Sequence, residues 1–192
     1  MDFANLKIVS IYSRTYKRHL LLNKCEVASL KSHIQSIIQH EVMVINTNIG
    51  LDIYYYASEM HFKLIRDAFL LLVEKQINST TNFHFKSLNT KQDIIIETEN
   101  MFHRLSTMPL LYKSYCKSLF FQFDLYASDN KAILNALFSI WKEVLWKLVD
   151  SNSDNKKFKM LLSDLQQSYI HCTDNHNVKV LLEKALSPIR QN

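Results

Sequence analysis

Glycine and proline are scarce in this chain. One glycine and two prolines occur in 192 residues, against average usages of roughly 7% and 5%. Tight hairpin turns, glycine-rich phosphate loops and extended linkers depend on these residues, so the composition argues against all three. We therefore predict an all-α fold, a single helical domain over residues 1–192 that forms a bundle of seven to eight helices.

Cysteines and long apolar runs are also few. Cys25, Cys116 and Cys172 are an odd number at wide spacings, which is typical of a reducing compartment rather than of a disulfide framework. The longest apolar runs, such as residues 68–73, are far shorter than the roughly 20 residues that span a bilayer. The sequence predicts a cytoplasmic protein that makes no membrane contact.

Motifs for catalysis are missing as well. The sequence has no glycine-rich phosphate loop, no nucleophile elbow and no pair of carboxylates at a plausible catalytic spacing. We expect neither an enzyme nor a bound cofactor.

Apolar residues recur at helical spacing along most of the chain. Asn23 with Glu26 forms a plausible capping box, Thr90 a second cap, and Pro109 suits the first turn of a helix. The predicted helices cover residues 3–22, 23–45, 52–77, 90–105, 109–126, 129–149, 156–170 and 177–187. The polar segments 78–90, 150–157 and 171–177 are predicted to be loops between them.

Positive charge is concentrated near the N-terminus. Residues 1–31 contain six basic and two acidic residues, and so carry +4 of the total charge of +5. The basic residues are Lys7, Arg14, Lys17, Arg18, Lys24 and Lys31. A local excess of this kind indicates an anionic partner. On a helix, Lys7, Arg14 and Arg18 would form one ridge able to contact the phosphates of a duplex without reading its sequence.

The same segment allows two other interpretations. Arg14 and His19 fit the pattern R-x4-H, which resembles the active-site motif of HEPN-type RNA-cleaving helical domains; there a histidine assists attack by a 2′-hydroxyl. Separately, His19, Cys25, His33 and His40 lie within 22 residues and include ligand types that bind zinc. Their spacing matches no standard zinc motif, so the prediction is no metal, with these four as the zinc candidates.

The opening MDFANLKIVSIYSRTYKRHLLLNKC, the many Asn, Lys, Ile and Ser residues and the low glycine content resemble the small RNA-silencing suppressors of criniviruses. That resemblance implies a viral protein, located in the host cell cytoplasm, that binds double-stranded RNA and shields it from Dicer-like cleavage or from loading into the silencing complex. A second class stays open, a helical adaptor that binds a partner protein through a groove, as viral Bcl-2-like proteins do. The many aromatic and methionine residues predict a homo-oligomer.

Overall fold

The protein is a mixed α/β structure, as a computed structural model shows. The residues described are 5–13, 21–48, 50–73, 83–126 and 131–151, with several more between 156 and 167. In chain order the elements are β1 (Leu6–Ser13), α1 (Lys24–Ile38), β2 (Val42–Thr47), β3 (Gly50–Tyr56), α2 (Phe62–Val73), β4 (Phe83–Leu88), α3 (Lys91–Thr107), α4 (Pro109–Tyr126) and α5 (Lys131–Ser151). The predicted all-α bundle of seven to eight helices is therefore wrong.

The four strands form one antiparallel sheet in the order β2-β3-β1-β4. Because β1 and β2 both run opposite to β3, they are parallel to each other and α1 connects them; α2 connects β3 and β4 in the same way. The β-α-β-β-α-β order with this strand arrangement is the ferredoxin-like, or split β-α-β, topology. The three helices α3, α4 and α5 are added after it.

Helices cover both faces of the sheet. One face packs against α1 and α2 through alternate strand residues such as Val9, Val44 and Ile53. The other face packs against α3, α4 and α5 through Ile8, Ile45 and their neighbours. Side chains of a strand alternate between faces, and in a three-layer arrangement both sets are buried. The result is an apolar core on each side of the sheet.

This double burial explains the wrong helix predictions. Residues 3–22, 23–45 and 52–77 were expected to be continuous helices, but they contain β1, β2 and β3, and the expected loop 78–90 contains β4. A strand buried on both faces, such as β2, has no polar alternation, and a short apolar run then fits a buried helix as well as a strand. Edge strand β4 differs, because it alternates half-buried Phe83 and Phe85 with exposed His84 and Lys86, and its polar residues and flanks led to the loop prediction. Three predicted helices are confirmed, with small shifts at their ends, as α3, α4 and α5. The seventh and eighth fall mostly outside the described residues.

The single glycine serves strand packing. Gly50 opens β3 next to the Thr47–Gly50 hairpin connection and pairs with Tyr12 of β1. A Cβ atom at this position would lie 2.5 Å from the carbonyl oxygen of Ile11. A nonbonded carbon and oxygen do not approach each other this closely. Strands β2 and β3 are the one pair in the sheet joined by a short hairpin, since helices connect the others. A chain with one glycine can therefore still form four strands.

Three helices have side-chain caps, and the cap of α5 comes from a distant part of the chain. The predicted capping box of α1 is confirmed: the Glu26 amide donates to Asn23 Oδ1 (3.0 Å), and the Asn23 amide donates to Glu26 Oε2 (2.7 Å). Thr90 caps α3. At the start of α5, the amides of Ala132 and Ile133 donate to the carboxylate of Glu41, 3.1 and 2.9 Å away. Glu41 immediately precedes β2, so this cap fixes α5 to the sheet.

Within the described ranges, no helix is both long enough and apolar enough to cross a membrane. The sheet also removes the premise of two functional alternatives, because the HEPN-type ribonuclease and the Bcl-2-like adaptor both depend on an all-helical chain.

Candidate functional site

The structure separates the six basic residues that the sequence grouped together. Lys7 lies in β1 and Lys31 in α1, and these two side chains are only 6% and 4% exposed. Both face the apolar core between the sheet and α1, so neither is available to a nucleic acid in this conformation. A helical ridge through Lys7 is wrong, because residues 6–13 form a strand. Arg14, Lys17 and Arg18 lie outside the described residues.

The zinc candidates do not form a cluster in the described part of the chain. Cys25 and His33 are both exposed on α1, and eight residues of helix separate them by about 12 Å along its axis. His40 follows the left-handed C-cap Gln39 and is outside the helix that carries Cys25 and His33. Over the described ranges, no group of three or more potential ligands could hold a metal ion. His19 lies outside these ranges.

Lys24, by contrast, is exposed and lines a groove with two other lysines. The groove, which we call the lysine groove, has a volume of about 360 Å³ and lies between the start of α1, the end of β2 and α4. Lys113 and Lys117 of α4 are its other cations. The described residues that line it include no aspartate or glutamate. A concave surface with three ammonium groups and no carboxylate favours an anion.

Serines fix α4 beside the groove. Ser114 Oγ donates to Asn48 Oδ1 (2.7 Å) and accepts from the Asn48 amide (3.3 Å). Ser118 Oγ accepts from the Asn46 amide at 2.8 Å. Residues four apart on a helix share one face, so the two serines hold the end of β2 while the adjacent lysines stand at the groove. Lys113 and Lys117 are therefore about 6 Å apart along a fixed helix.

An aromatic ring positions the third lysine. The ammonium of Lys24 lies 4.8 Å from the centre of the Phe121 ring, a cation–π contact. Contacts of this kind contribute about 0.5–1 kcal/mol where they are exposed. The Lys24 charge is thus held against α4.

A second concave site lies between the sheet and α3. This site, which we call the sheet cavity, has a volume of about 490 Å³. Its apolar lining includes Ile8, Leu88, Ile94 and Met101. Tyr12, at the cavity edge, stacks on His84 of β4 with ring centres 5.2 Å apart.

Asp52 is the unusual polar group of the sheet cavity. Its carboxylate accepts a 2.6 Å hydrogen bond from Ser10 Oγ. Burial raises the pKa of Asp52 from 3.8 to about 6; the Ser10 hydrogen bond opposes this rise, and nearby Glu97 adds to it. Asp52 is half-buried as a residue, and it lines the sheet cavity among mostly apolar neighbours.

Two cations lie at the outer part of the sheet cavity, and both contact Glu97. Lys86 Nζ is 2.6 Å from Glu97 Oε2, and an Arg104 guanidinium nitrogen is 2.6 Å from Glu97 Oε1. The lysine and arginine side chains are about half exposed, whereas that of Glu97 is 23% exposed. The three residues carry a combined formal charge of +1 and mark the solvent side of the cavity.

Sequence reasoning identified Lys24 but missed the rest of both sites. A signal for the lysine groove was present: Lys113-Ser114 is repeated four residues later as Lys117-Ser118, which places both pairs on one helix face. The sheet cavity gave no comparable signal, because its polar residues come from β1, β3, β4 and α3 and meet only through strand pairing.

No family model, curated protein or solved structure matches this chain.

Proposed function

We propose that the protein binds double-stranded RNA through phosphate contacts at the lysine groove, without reading its sequence. The observation that carries the proposal is the cluster of Lys24, Lys113 and Lys117 around one groove that has no acidic lining residue. Phosphate contacts supply most of the affinity of nonspecific nucleic-acid binding.

The exposed surface favours a duplex over a single strand. Proteins that bind single strands stack the bases on exposed aromatic side chains. Large exposed aromatic residues are limited, over the described ranges, to Tyr12 and Trp146, and neither lines the groove. Phe121 does line it, but Lys24 lies over its ring. Without a stacking surface, the lysines contact the backbone, which a duplex presents on its outside.

The sheet face covered by helices also favours the lysine groove as the place where RNA binds. RNA-recognition domains with a four-stranded sheet of this topology stack bases on aromatic residues of the open sheet face. Here the corresponding face packs against α3, α4 and α5, so an RNA strand cannot lie across it. The lysine groove is at the end of β2 and remains accessible.

Salt dependence tests the proposal. On a duplex, each neutralised phosphate contributes about 0.9 to the slope of log affinity against log salt. The double variant Lys113→Gln/Lys117→Gln should reduce that slope by about 1.8 and should bind duplexes of different sequence equally weakly. Fluorescence anisotropy with a labelled RNA duplex at several salt concentrations measures both quantities.

The matched control is Lys63→Gln/Lys142→Gln. These two lysines are also exposed, on α2 and α5, so the control removes the same net charge elsewhere and should leave the slope nearly unchanged. Equal slopes for both double variants, or tighter binding of single-stranded RNA than of duplex, would contradict the proposal. The role that the crinivirus resemblance implies is tested separately: bound duplex should resist cleavage by a Dicer-type ribonuclease, and the groove variant should lose this protection.

A further inference from the structure

We infer that the sheet cavity binds a small organic cation, an amine or guanidinium group carried on an apolar body. This inference concerns different residues from the lysine groove and does not depend on RNA binding. A volume of about 490 Å³ lies within the range of natural small-molecule sites, which are mostly apolar with a few convergent polar groups.

The inner carboxylate forms no ion pair with a lysine or arginine among the described residues, although the more distant Arg104 slightly lowers its pKa. Over the described residues, Ser10 is the only hydrogen-bond donor to Asp52. Taking a charged carboxylate out of water is costly unless a cation or several donors compensate it. A ligand ammonium or guanidinium group would supply both the charge and the donors.

The protein's own cations are already engaged nearer the surface. Lys86 and Arg104 each contact a different oxygen of Glu97, and this arrangement leaves Asp52 as the unpaired charge farther inside. The groups that face Asp52 come from every surrounding element: Ser10 of β1, Tyr54 of β3, Lys86 of β4, Glu97 and Arg104 of α3, and Tyr115 of α4.

The walls suit the apolar part of such a ligand. Ile8, Leu88, Ile94 and Met101 line the cavity with aliphatic and thioether surface. Tyr54 also lines it, and an aromatic ring attracts a nearby cation through its electron-rich face. A compound with one positive end and one hydrocarbon end matches this division into an acidic group and apolar walls.

Three probes of similar shape and different charge test the inference. Phenethylamine, phenethyl alcohol and phenylacetate are titrated into the full chain at about pH 7.5, and binding is followed by NMR through the amide signal of Gly50, which lines the cavity. The amine should bind at least tenfold more tightly than the alcohol, since a charged hydrogen bond contributes about 1.5–3 kcal/mol. Phenylacetate should bind most weakly.

Two variants and a change of pH make the test specific. Asp52→Asn keeps the side-chain shape and should abolish the preference for the amine over the alcohol. Lys86→Gln removes an outer cation and should leave amine binding unchanged or stronger. Near pH 5 the carboxyl group of Asp52 is mostly protonated, so amine affinity should fall about tenfold relative to pH 7.5. Binding of none of the probes, a preference for phenylacetate, or a preference for the amine that survives in Asp52→Asn would overturn the inference.

Discussion

Replacing Asp52 by asparagine should make the protein more stable at neutral pH. Burial gives this carboxyl a pKa of about 6 in the folded chain, against an ordinary value of 3.8. A raised pKa means that the folded state holds the proton more tightly than the unfolded state does. Its contribution to stability is therefore fully present below pH 3.8 and is lost as the pH rises through 6.

The size of this loss follows from the two pKa values. A difference of about 2 at 1.36 kcal/mol per unit corresponds to about 3 kcal/mol of unfolding free energy above pH 6. Asparagine cannot ionise, and its side-chain oxygen can still accept the hydrogen bond from Ser10. Its amide group gains donors that lack partners, at a cost of about 1 kcal/mol. The expected net gain of the variant at about pH 7.5 is therefore about 2 kcal/mol.

Urea unfolding of both proteins across pH 4 to 8, followed by circular dichroism, measures the effect. The quantity of interest is the difference between variant and wild type at each pH, because the other carboxyl groups titrate in both proteins and cancel. That difference should grow by about 2.4 kcal/mol between pH 4 and pH 8, because about 0.6 of the 3 kcal/mol is already lost at pH 4. A control variant, Ser10→Ala, removes the hydrogen bond that favours the ionised form. Its stability should fall by a larger total amount over a wider pH range than that of the wild type. A difference that stays constant across this pH range would refute the reasoning.

Three further outcomes are expected. Gly50→Ala should lower stability by about 1–3 kcal/mol in chemical denaturation, because the new Cβ would meet the Ile11 carbonyl oxygen 2.5 Å away; unchanged stability would mean that the two strands separate easily. Glu41→Ala should cost about 1–2 kcal/mol, since two amides at the start of α5 lose their acceptor, and Glu41→Gln should recover part of this loss. Burial raises the pKa of Cys116 to about 11 from an ordinary 9.0. Because the smaller thiolate fraction is partly offset by higher nucleophilicity, peptide mapping after iodoacetamide treatment at about pH 8 should show half-buried Cys116 alkylated at least about tenfold more slowly than exposed Cys25; similar rates would show that the Cys116 thiol is open to solvent.

Local signals predicted the C-terminal half of the described chain well and the N-terminal half poorly. The confirmed helices α3, α4 and α5 have polar faces, caps such as Thr90 or a proline in the first turn, and these are features that a single segment carries. Strands β1, β2 and β3 have no such features, whereas β4 carries a local signal, the alternation of Phe83 and Phe85 with His84 and Lys86, which the loop prediction overlooked. Val42–Thr47 is buried at every position, so its pattern of apolar residues does not distinguish a strand from a buried helix.

The candidate sites, like the strands, could be predicted only in part from local sequence. Lys24 could be identified because it belongs to a charged run, but its partners Lys113 and Lys117 are about 90 residues away in sequence. Lys7 belongs to the same run and is buried, because strand alternation directs it to the core between the sheet and α1. Charge density along a sequence therefore shows that a basic region exists, but the fold decides which of its cations reach solvent.

The order of elements along the chain has a consequence for synthesis on the ribosome. All four strands are complete by Leu88, yet the helices that cover one sheet face begin only at Lys91, and α5 ends at Ser151. Until those helices emerge, Leu6, Met43 and Tyr54 have no partners on that face. At about 5–20 residues per second, the nascent sheet would expose this apolar surface for several seconds. Chains halted between β4 and α5 should therefore be targets for chaperones that capture apolar surfaces, whereas the finished protein should not.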